Sequence, residues 1–153
     1  MVLPIYAYGH EVLKKVGVEI DQDYPELKEF IESMWETMYH AKGVGLAAHQ
    51  VGHPIRIFIV DTVQVEKEGT EGKGIKKIFI NAEILEESGE EWAYEEGCLS
   101  IPDIHADVMR QPKIIIKYQD EQFVVHTETY DGMNARVIQH EYDHIEGKLF
   151  VEK

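Results

Sequence analysis

Two histidines near the C-terminus, His140 and His144, stand four positions apart. In an α-helix this spacing places both imidazoles on one face, one turn apart, so both can reach a single metal ion. Glu141, directly after the first histidine, could then handle protons beside that ion. The His-Glu-x-x-His pattern therefore indicates metal-assisted hydrolysis, although two exposed histidines on an ordinary helix would produce the same pattern. A third ligand is needed to separate these interpretations.

The third ligand must come from upstream of the two histidines. Only nine residues follow His144, too few for the distant glutamate of a thermolysin-like site, and Phe150 stands where a third histidine six residues on would be. Cys98, the only cysteine, is the natural candidate. Two imidazoles and one thiolate would leave a fourth position open for water, as in a catalytic site. The alternative for a lone cysteine is a small buried hydrophobic residue, and an intrachain disulfide is excluded.

Residues 43–52, Gly-Val-Gly-Leu-Ala-Ala-His-Gln-Val-Gly, form a second unusual segment. Its spaced glycines superficially match a dinucleotide-binding loop, but that fingerprint needs a strand before it and a helix after it. Here a predicted helix precedes the segment and a predicted strand follows, which argues against a nucleotide site. We expect instead that the glycines let the backbone pass close to a ligand, with the Gln50 amide pointing into that space. His49 and His53 flank this amide and are predicted to lie outside the site.

An amphipathic helix is predicted before the glycine-rich segment, from Asp23 to residues 39–42. Asp23 and Glu26 have the spacing of a capping box, and Pro25 suits the first helical turn. The apolar residues of this helix recur at helical spacing and are expected to pack in the core. They are Leu27, Phe30, Ile31, Met34, Trp35 and Met38.

A second helix is predicted near the C-terminus, with Asp131 or Asn134 as its cap and Gly147 as its end. The stripe that carries the two histidines continues into an apolar patch at Met133 and Val137. The metal-binding face would therefore adjoin an apolar surface on the same helix.

Short strands are predicted between the two helices, from apolar runs and period-two alternation. The carboxylates of residues 83–96 are expected to form mostly a solvated face, and residues 102–110 are expected to be irregular. The predicted strands are residues 55–61, 76–81, 84–87, 90–94, 114–119 and 123–129.

The overall composition predicts one soluble domain spanning residues 1–153. The net charge of −14 argues against DNA as a primary ligand, because phosphate binding needs a basic surface. No apolar run approaches the roughly 18 residues of a membrane span, and the N-terminus lacks the features of a signal peptide. We therefore expect a cytoplasmic protein that binds neither DNA nor a membrane.

Three blocks of the chain resemble the three signature motifs of the peptide deformylase family, in the family's order and at about its spacing. They are Gly-Val-Gly-Leu-Ala-Ala-His-Gln at 43–50, Glu-Gly-Cys-Leu-Ser at 96–100 and Gln-His-Glu-Tyr-Asp-His at 139–144. The similarity also extends outside the motifs, from residues 3–5 to residues 147–150. By this resemblance the chain is identified as a member of that family.

The resemblance implies a metal centre and a fold. Cys98, His140 and His144 would bind one divalent ion, with Fe²⁺ expected and Zn²⁺, Ni²⁺ or Co²⁺ as possible substitutes. The implied fold is α+β, with short mixed or antiparallel β-sheets packed around the C-terminal helix that carries the histidines. The N-terminal amphipathic helix would complete it.

The resemblance also implies a reaction, the removal of the formyl group from the formylmethionine of nascent peptides at the ribosome. Metal-bound hydroxide would attack the formyl carbon, with Glu141 as the general base and then the general acid, and formate would leave. Gln50, through its side-chain amide, and Leu99, through its backbone N–H, would stabilise the oxyanion. Gly45 would bind the substrate backbone.

Methionine at the formylated end requires an apolar pocket, and we place Val44, Met133 and Val137 in its wall. Two features depart from the family. His105 stands where family members commonly carry an arginine, which affects contacts to the downstream substrate backbone. The chain also ends soon after Phe150, so it is either truncated or lacks the variable C-terminal tail of the family.

Two other classes of protein remain as alternatives. A metallopeptidase could use the same His-Glu-x-x-His helix, with an open cleft and no special role for Cys98. A non-catalytic metal-binding or scaffold protein could keep this fold, although the joint presence of Gln50, Glu141 and three ligands argues against it.

Overall fold

An antiparallel sheet of five strands forms the centre of the computed structural model, which describes residues 1–65 and 73–149 but not the side chains of residues 102 and 103. Its strands are Gly45–Ala47 (β1), Ile57–Asp61 (β2), Lys76–Ser88 (β3), Lys113–Gln119 (β6) and Val125–Asp131 (β7). They lie in the order β1-β2-β3-β6-β7, so the short β1 forms one edge of the sheet.

Strand β3 joins two segments that are predicted as separate strands, 76–81 and 84–87. Register shifts against β6, between Ile80 and Glu83 and between Ile84 and Glu86, interrupt the alternation of side chains without ending the pairing. Bulges of this kind break the period of two from which strands are predicted. The pattern therefore indicates two strands where the backbone forms one.

A separate sheet consists of two antiparallel strands, Trp92–Cys98 (β4) and Ile101–Arg110 (β5). The prediction that residues 102–110 are irregular is wrong, because β5 pairs with β4 as far as its last residue. Such pairing is a non-local contact, which local sequence pattern does not report. The hairpin turns at Leu99 and Ser100, and this turn holds Cys98 at the end of β4.

Helix α1 (Leu27–His40) packs on one face of the main sheet, with Ile31, Met34 and Met38 buried as predicted. The predicted start at Asp23 is wrong. Glu26 adopts a left-handed conformation with φ of 56° and makes no capping hydrogen bond through its side chain. The N–H of Asp23 instead donates to the carboxylate of Asp21 (2.9 Å), a local turn that ends before the helix begins.

Helix α2 (Gly132–Ile145) packs on the opposite face of the sheet, where Ile138 and Ile145 join the cluster around Phe58 and Phe79. The prediction for the start of this helix is only partly correct, and the prediction for its end is confirmed. Asp131 and Asn134 were both candidate caps, but the Asp131 side chain makes no capping hydrogen bond and Asn134 lies inside the helix. Gly147, with φ of 76°, follows the last turn as predicted.

This arrangement of helices on both faces of antiparallel strands confirms the α+β class, with the histidine-bearing helix packed against the sheet. In the N-terminal arm, Val12 and Leu13 are buried, whereas Val16 is 61% exposed. None of the described helices combines the length and the apolar character needed to cross a membrane.

Candidate metal centre and cleft

Cys98, His140 and His144 each bring one ligand atom to a common point, and these atoms all lie within 4.8 Å of one another. The histidines come from consecutive turns of α2, as their spacing predicts, and the cysteine comes from the end of β4. Cys98 Sγ lies 3.3 Å from Nε2 of His144. Both histidines are buried and the cysteine is half-buried. Two imidazoles and a thiol are a donor set that suits zinc or iron, so the residues present fit a divalent ion.

Glu96 orients one of the two histidines from behind. Its Oε1 accepts a hydrogen bond from Nδ1 of His140 (2.9 Å). Since a carboxylate only accepts, Nδ1 carries a proton, and Nε2 is the ring nitrogen that can act as a metal ligand. Glu96 is only 6% exposed. The prediction of a solvated acidic face is therefore wrong at this position.

Two arginines hold the charge of Glu96 in place. Arg110 donates two hydrogen bonds to its carboxylate, of 2.7 and 2.9 Å, and Arg136 donates a third of 2.6 Å. Burial by itself raises the pKa of Glu96, but the hydrogen bonds from His140 and Arg110 and their charges outweigh it and lower the pKa to about 2. The carboxylate is thus ionised at every physiological pH.

The same arginines tie the hairpin sheet to α2. Arg110 also pairs with Asp143 (2.9 Å), and Arg136 donates to the carbonyls of Val108 (2.9 Å) and Trp92 (2.6 Å). These contacts hold the strand that ends in the cysteine against the helix that carries the histidines. Sequence reasoning missed this group. One signal was present, because Glu96 is two residues before Cys98 and so projects from the same face of β4.

The two histidines differ in their titration. Burial lowers the pKa of His144 well below its usual value, and the charges of His140, His49 and Arg110 act in the same direction. Burial also lowers the pKa of His140, but its hydrogen bonds with Cys98 and Glu96 outweigh that effect and raise the pKa to about 10. A divalent ion would have to displace the proton of His140, since only a neutral imidazole binds a metal.

Glu141 lies beside the three ligands with its carboxylate almost fully buried, at 5% exposure. Its Oε2 is 4.0 Å from Nε2 of His140, and Oε1 has no hydrogen-bond partner within the described ranges. Burial raises the pKa of Glu141 to about 7, with the charge of His140 opposing this shift. A carboxyl group with such a pKa can both take up and return a proton near neutral pH.

The Gln50 side chain points its amide group at the ligand cluster. Its Oε1 accepts from the backbone N–H of Ala47 (3.0 Å), which leaves the NH₂ group to donate towards Cys98 Sγ (3.4 Å) and Ser100 Oγ (3.2 Å). Leu99, in the hairpin turn, places its side chain beside Gly43. Both candidate oxyanion donors therefore lie next to the cysteine: the Gln50 amide contacts its sulfur, and Leu99 follows it in the chain.

A cleft of about 480 Å³ opens onto this cluster. Cys98, His140 and Glu141 line it, whereas His144 is not part of its wall and lies deeper. The three residues predicted to form a methionine pocket, Val44, Met133 and Val137, also line the cleft. Other lining residues are Gly43, Gly45, Gln50, Leu99, Ile101 and Ile104.

His105 lines the cleft at its open side, 58% exposed, with Nδ1 3.6 Å from the carboxylate of Glu95. Of the two histidines that flank Gln50, His53 packs on Phe30 away from the cleft, as predicted. His49 is also absent from the lining, but it is fully buried.

Comparison with known proteins finds relatives along the whole chain. The sequence profile of the polypeptide deformylase family matches residues 2–153. The peptide deformylase of Christiangramia forsetii is 58% identical over 160 residues, which cover 100% of this chain and 82% of that relative.

Solved structures agree with this result. The crystal structure of peptide deformylase from Thermotoga maritima superimposes with a TM-score of 0.87 at 38% identity, covering 100% of this chain and 97% of that one. A class I type b peptide deformylase from Acinetobacter baumannii, crystallised with Met-Ala-Ser, gives a TM-score of 0.88 at 33% identity, with 99% and 98% coverage.

Proposed function

Because this chain belongs to the peptide deformylase family of metal-dependent hydrolases, we propose that it removes the formyl group from the N-terminal formylmethionine of newly made polypeptides. The products are formate and a peptide with a free amino terminus. One observation carries the proposal: three ligands, a buried carboxylate at Glu141 and the amide of Gln50 meet at the inner end of one cleft.

Cys98, His140 and His144 would hold the metal, with Fe²⁺ as the expected ion and Zn²⁺, Ni²⁺ or Co²⁺ as substitutes. A divalent ion bound there would lower the pKa of water from about 16 to about 7 and so supply a nucleophile at neutral pH. The Glu96 carboxylate supports this arrangement, because it fixes the proton of His140 on Nδ1.

Glu141 moves the proton. Its carboxylate, with a pKa of about 7, accepts a proton from the attacking water and returns it to the nitrogen of the leaving amine. The bond between the formyl carbon and that nitrogen then breaks. Among the described residues, Oε1 of Glu141 has no hydrogen-bond partner. This carboxylate oxygen is therefore available for the proton transfer.

Charge develops on the formyl oxygen during attack, and two hydrogen-bond donors would stabilise it. The NH₂ group of Gln50 is already turned towards the cluster by the bond between its Oε1 and Ala47. The N–H of Leu99 in the hairpin turn would supply the second hydrogen bond. One such donor is typically worth about 3–4 kcal/mol of transition-state stabilisation.

The methionine side chain would enter the cleft between Val44 and the apolar side of α2 at Met133 and Val137. Gly45, at the start of the edge strand β1, would bind the substrate backbone through its own peptide groups. The relative crystallised with Met-Ala-Ser supports a cleft that accepts a peptide beginning with methionine. The cytoplasm and the nascent chain at the ribosome are the expected location and partner.

The test is formate release from formyl-Met-Ala-Ser by protein that is purified anaerobically and loaded with iron. We expect turnover of this peptide and no cleavage of Met-Ala-Ser. Peptide-bond hydrolysis without formate release would favour the metallopeptidase alternative, and metallated protein without either activity would contradict catalysis.

Two variants assign the roles. Cys98→Ala should lose the metal, whereas Glu141→Gln should bind the metal normally and lose turnover. His126→Ala is the matched control, because this histidine pairs with Asp120 outside the cleft. A Cys98→Ala protein with full metal content and activity would exclude the cysteine as a ligand.

A further inference from the structure

Two fully buried imidazole nitrogens near the metal cluster, Nδ1 of His144 and Nδ1 of His49, have no hydrogen-bond partner among the described residues. The two side chains are 1% and 0% exposed. Leaving a buried polar atom unpaired is costly, so each such atom in a folded protein calls for an explanation. His49 takes no part in the chemistry proposed above, and Glu96 serves only the other histidine ligand.

The His49 ring lies near the C-terminal end of α2, the helix that carries His144. A Cβ built at Gly17 would stand 3.0 Å from Cε1 of His49 and 3.1 Å from the carbonyl oxygen of Ile145, so the ring and the helix end both border this glycine. The rings of His49 and His144 are also close enough for the charge of one to lower the pKa of the other.

The two unpaired nitrogens have opposite hydrogen-bonding character. Nε2 of His49 lies 2.7 Å from the carbonyl oxygen of Lys15, which can only accept, so Nε2 carries the proton and Nδ1 is an acceptor. Burial lowers the pKa of this imidazole. Nε2 of His144 faces Cys98, so if it binds a metal through its lone pair, Nδ1 of His144 carries the proton and is a donor.

We propose that His49 is the outer partner of His144: Nδ1–H of His144 donates to one buried water, and that water donates to Nδ1 of His49. A water is proposed because no direct hydrogen bond joins the two rings in the described contacts, and a buried water needs polar partners such as these. His49 is thereby a positioning residue that fixes the ring orientation and tautomer of a ligand, as Glu96 does for His140. This inference rests on the proposed metal centre.

Two substitutions separate this role from a merely structural one. His49→Gln places an amide donor where Nε2 stood, so it keeps the bond to Lys15 and loses the acceptor. His49→Asn places an amide oxygen where Nδ1 stood, so it keeps the acceptor and loses the bond to Lys15. The measurement is the Zn²⁺ dissociation constant from competition with a chelator, with thermal unfolding of the metal-free proteins to report folding.

We expect His49→Gln to weaken zinc binding roughly 10- to 100-fold, the usual effect of losing an outer-shell partner, and His49→Asn to stay within a few-fold of the wild type. The reverse order would assign His49 to tethering Lys15 and would overturn the proposal. Wild-type affinity in both variants would also overturn it while leaving the metal centre intact. A wild-type protein that binds no zinc would contradict the metal centre itself.

Nitrogen NMR of zinc-loaded wild-type protein gives a second test that does not depend on the variants. A slowly exchanging proton on Nδ1 of His144, together with an unprotonated Nδ1 on His49, is the expected signature. A proton on Nδ1 of His49 would contradict the proposed direction of the hydrogen bonds.

Discussion

Gly45 lies directly against the carboxylate of Glu141. A Cβ built at Gly45 would stand 2.6 Å from Oε2 and 2.9 Å from Cγ of that side chain, closer than real Cβ atoms approach. The glycine begins strand β1, and the glutamate lies on α2. Glycine is needed here for close approach and not for an unusual φ, since Gly45 is not among the residues with positive φ. The Glu141 carboxylate therefore occupies space that is open only because residue 45 has no Cβ.

Gly45→Ala should displace the Glu141 carboxylate and leave the metal ligands in place. We expect kcat to fall about 100-fold, the effect that a misplacement of about 1 Å can have on a catalytic group, with unchanged metal content. Gly43→Ala is the control, because the only atom closer than 3.0 Å to its Cβ would be Cδ1 at the end of the flexible Leu99 side chain (2.7 Å). Equal losses in both variants would show that crowding at Glu141 is not the cause.

Val137→Asp should weaken substrate binding by placing a carboxylate in the apolar part of the cleft. Val137 is 7% exposed and lines the cleft beside Met133. We expect the KM for formyl-Met-Ala-Ser to rise roughly tenfold or more, because burying an unpaired polar group costs about 1–3 kcal/mol. Val63→Asp, at a position 49% exposed, should leave KM unchanged. An unaltered KM in folded, metallated Val137→Asp protein would remove Val137 from the pocket.

Glu96→Gln should destabilise the fold as well as the metal centre. The substitution removes the negative charge between Arg110 and Arg136, and breaking a buried ion pair from one side costs about 3–5 kcal/mol. Urea unfolding of the metal-free protein measures this loss. Glu95→Gln is the control, because Glu95 is 67% exposed and pairs only with His105 in the described ion pairs, where an exposed pair contributes at most about 1 kcal/mol. Similar stability in the two variants would contradict the buried network.

The stability of the metal-free protein should depend on pH through Glu141. Burial raises the pKa of this carboxyl from 4.5 to about 7, so the folded state favours the protonated form. The contribution is fully present below pH 4.5 and is lost as the pH rises through about 7, where the carboxylate is buried without compensation. The loss should approach about 3 kcal/mol.

Urea unfolding of wild-type and Glu141→Gln protein across this pH range isolates the effect, because the glutamine does not titrate. The variant should gain stability relative to the wild type between pH 4.5 and 7. A constant difference would show that Glu141 titrates at its ordinary value in the folded protein.

Much of the site could be predicted from the sequence. The spacing of His140 and His144 places them on one helical face whatever the rest of the fold does, because the period of the α-helix is a property of the backbone. Glu141, one position after His140, follows from the His-Glu-x-x-His pattern and not from this periodicity. Cys98 was the remaining candidate for a third ligand, and the family motifs around it indicated the same residue.

Tertiary structure decided which groups support that chemistry. The hydrogen bond between Glu96 and His140 joins residues 44 positions apart. Local pattern predicts a solvated Glu96 carboxylate, because its partners Arg110 and Arg136 lie on other elements. The pairing of β5 with β4 was missed for the same reason. Local periodicity reports which face of an element a residue occupies, but only packing determines what that face meets.

For residues 139–144, the sequence therefore specifies the set of reactive groups and the common helical face of His140 and His144. The contact of Glu141 with Gly45, its burial and its raised pKa were decided only by tertiary structure, when α2 packed against the edge strand β1. Excluding water from a carboxylate needs atoms from distant parts of the chain on every side, and no spacing within one motif can supply them.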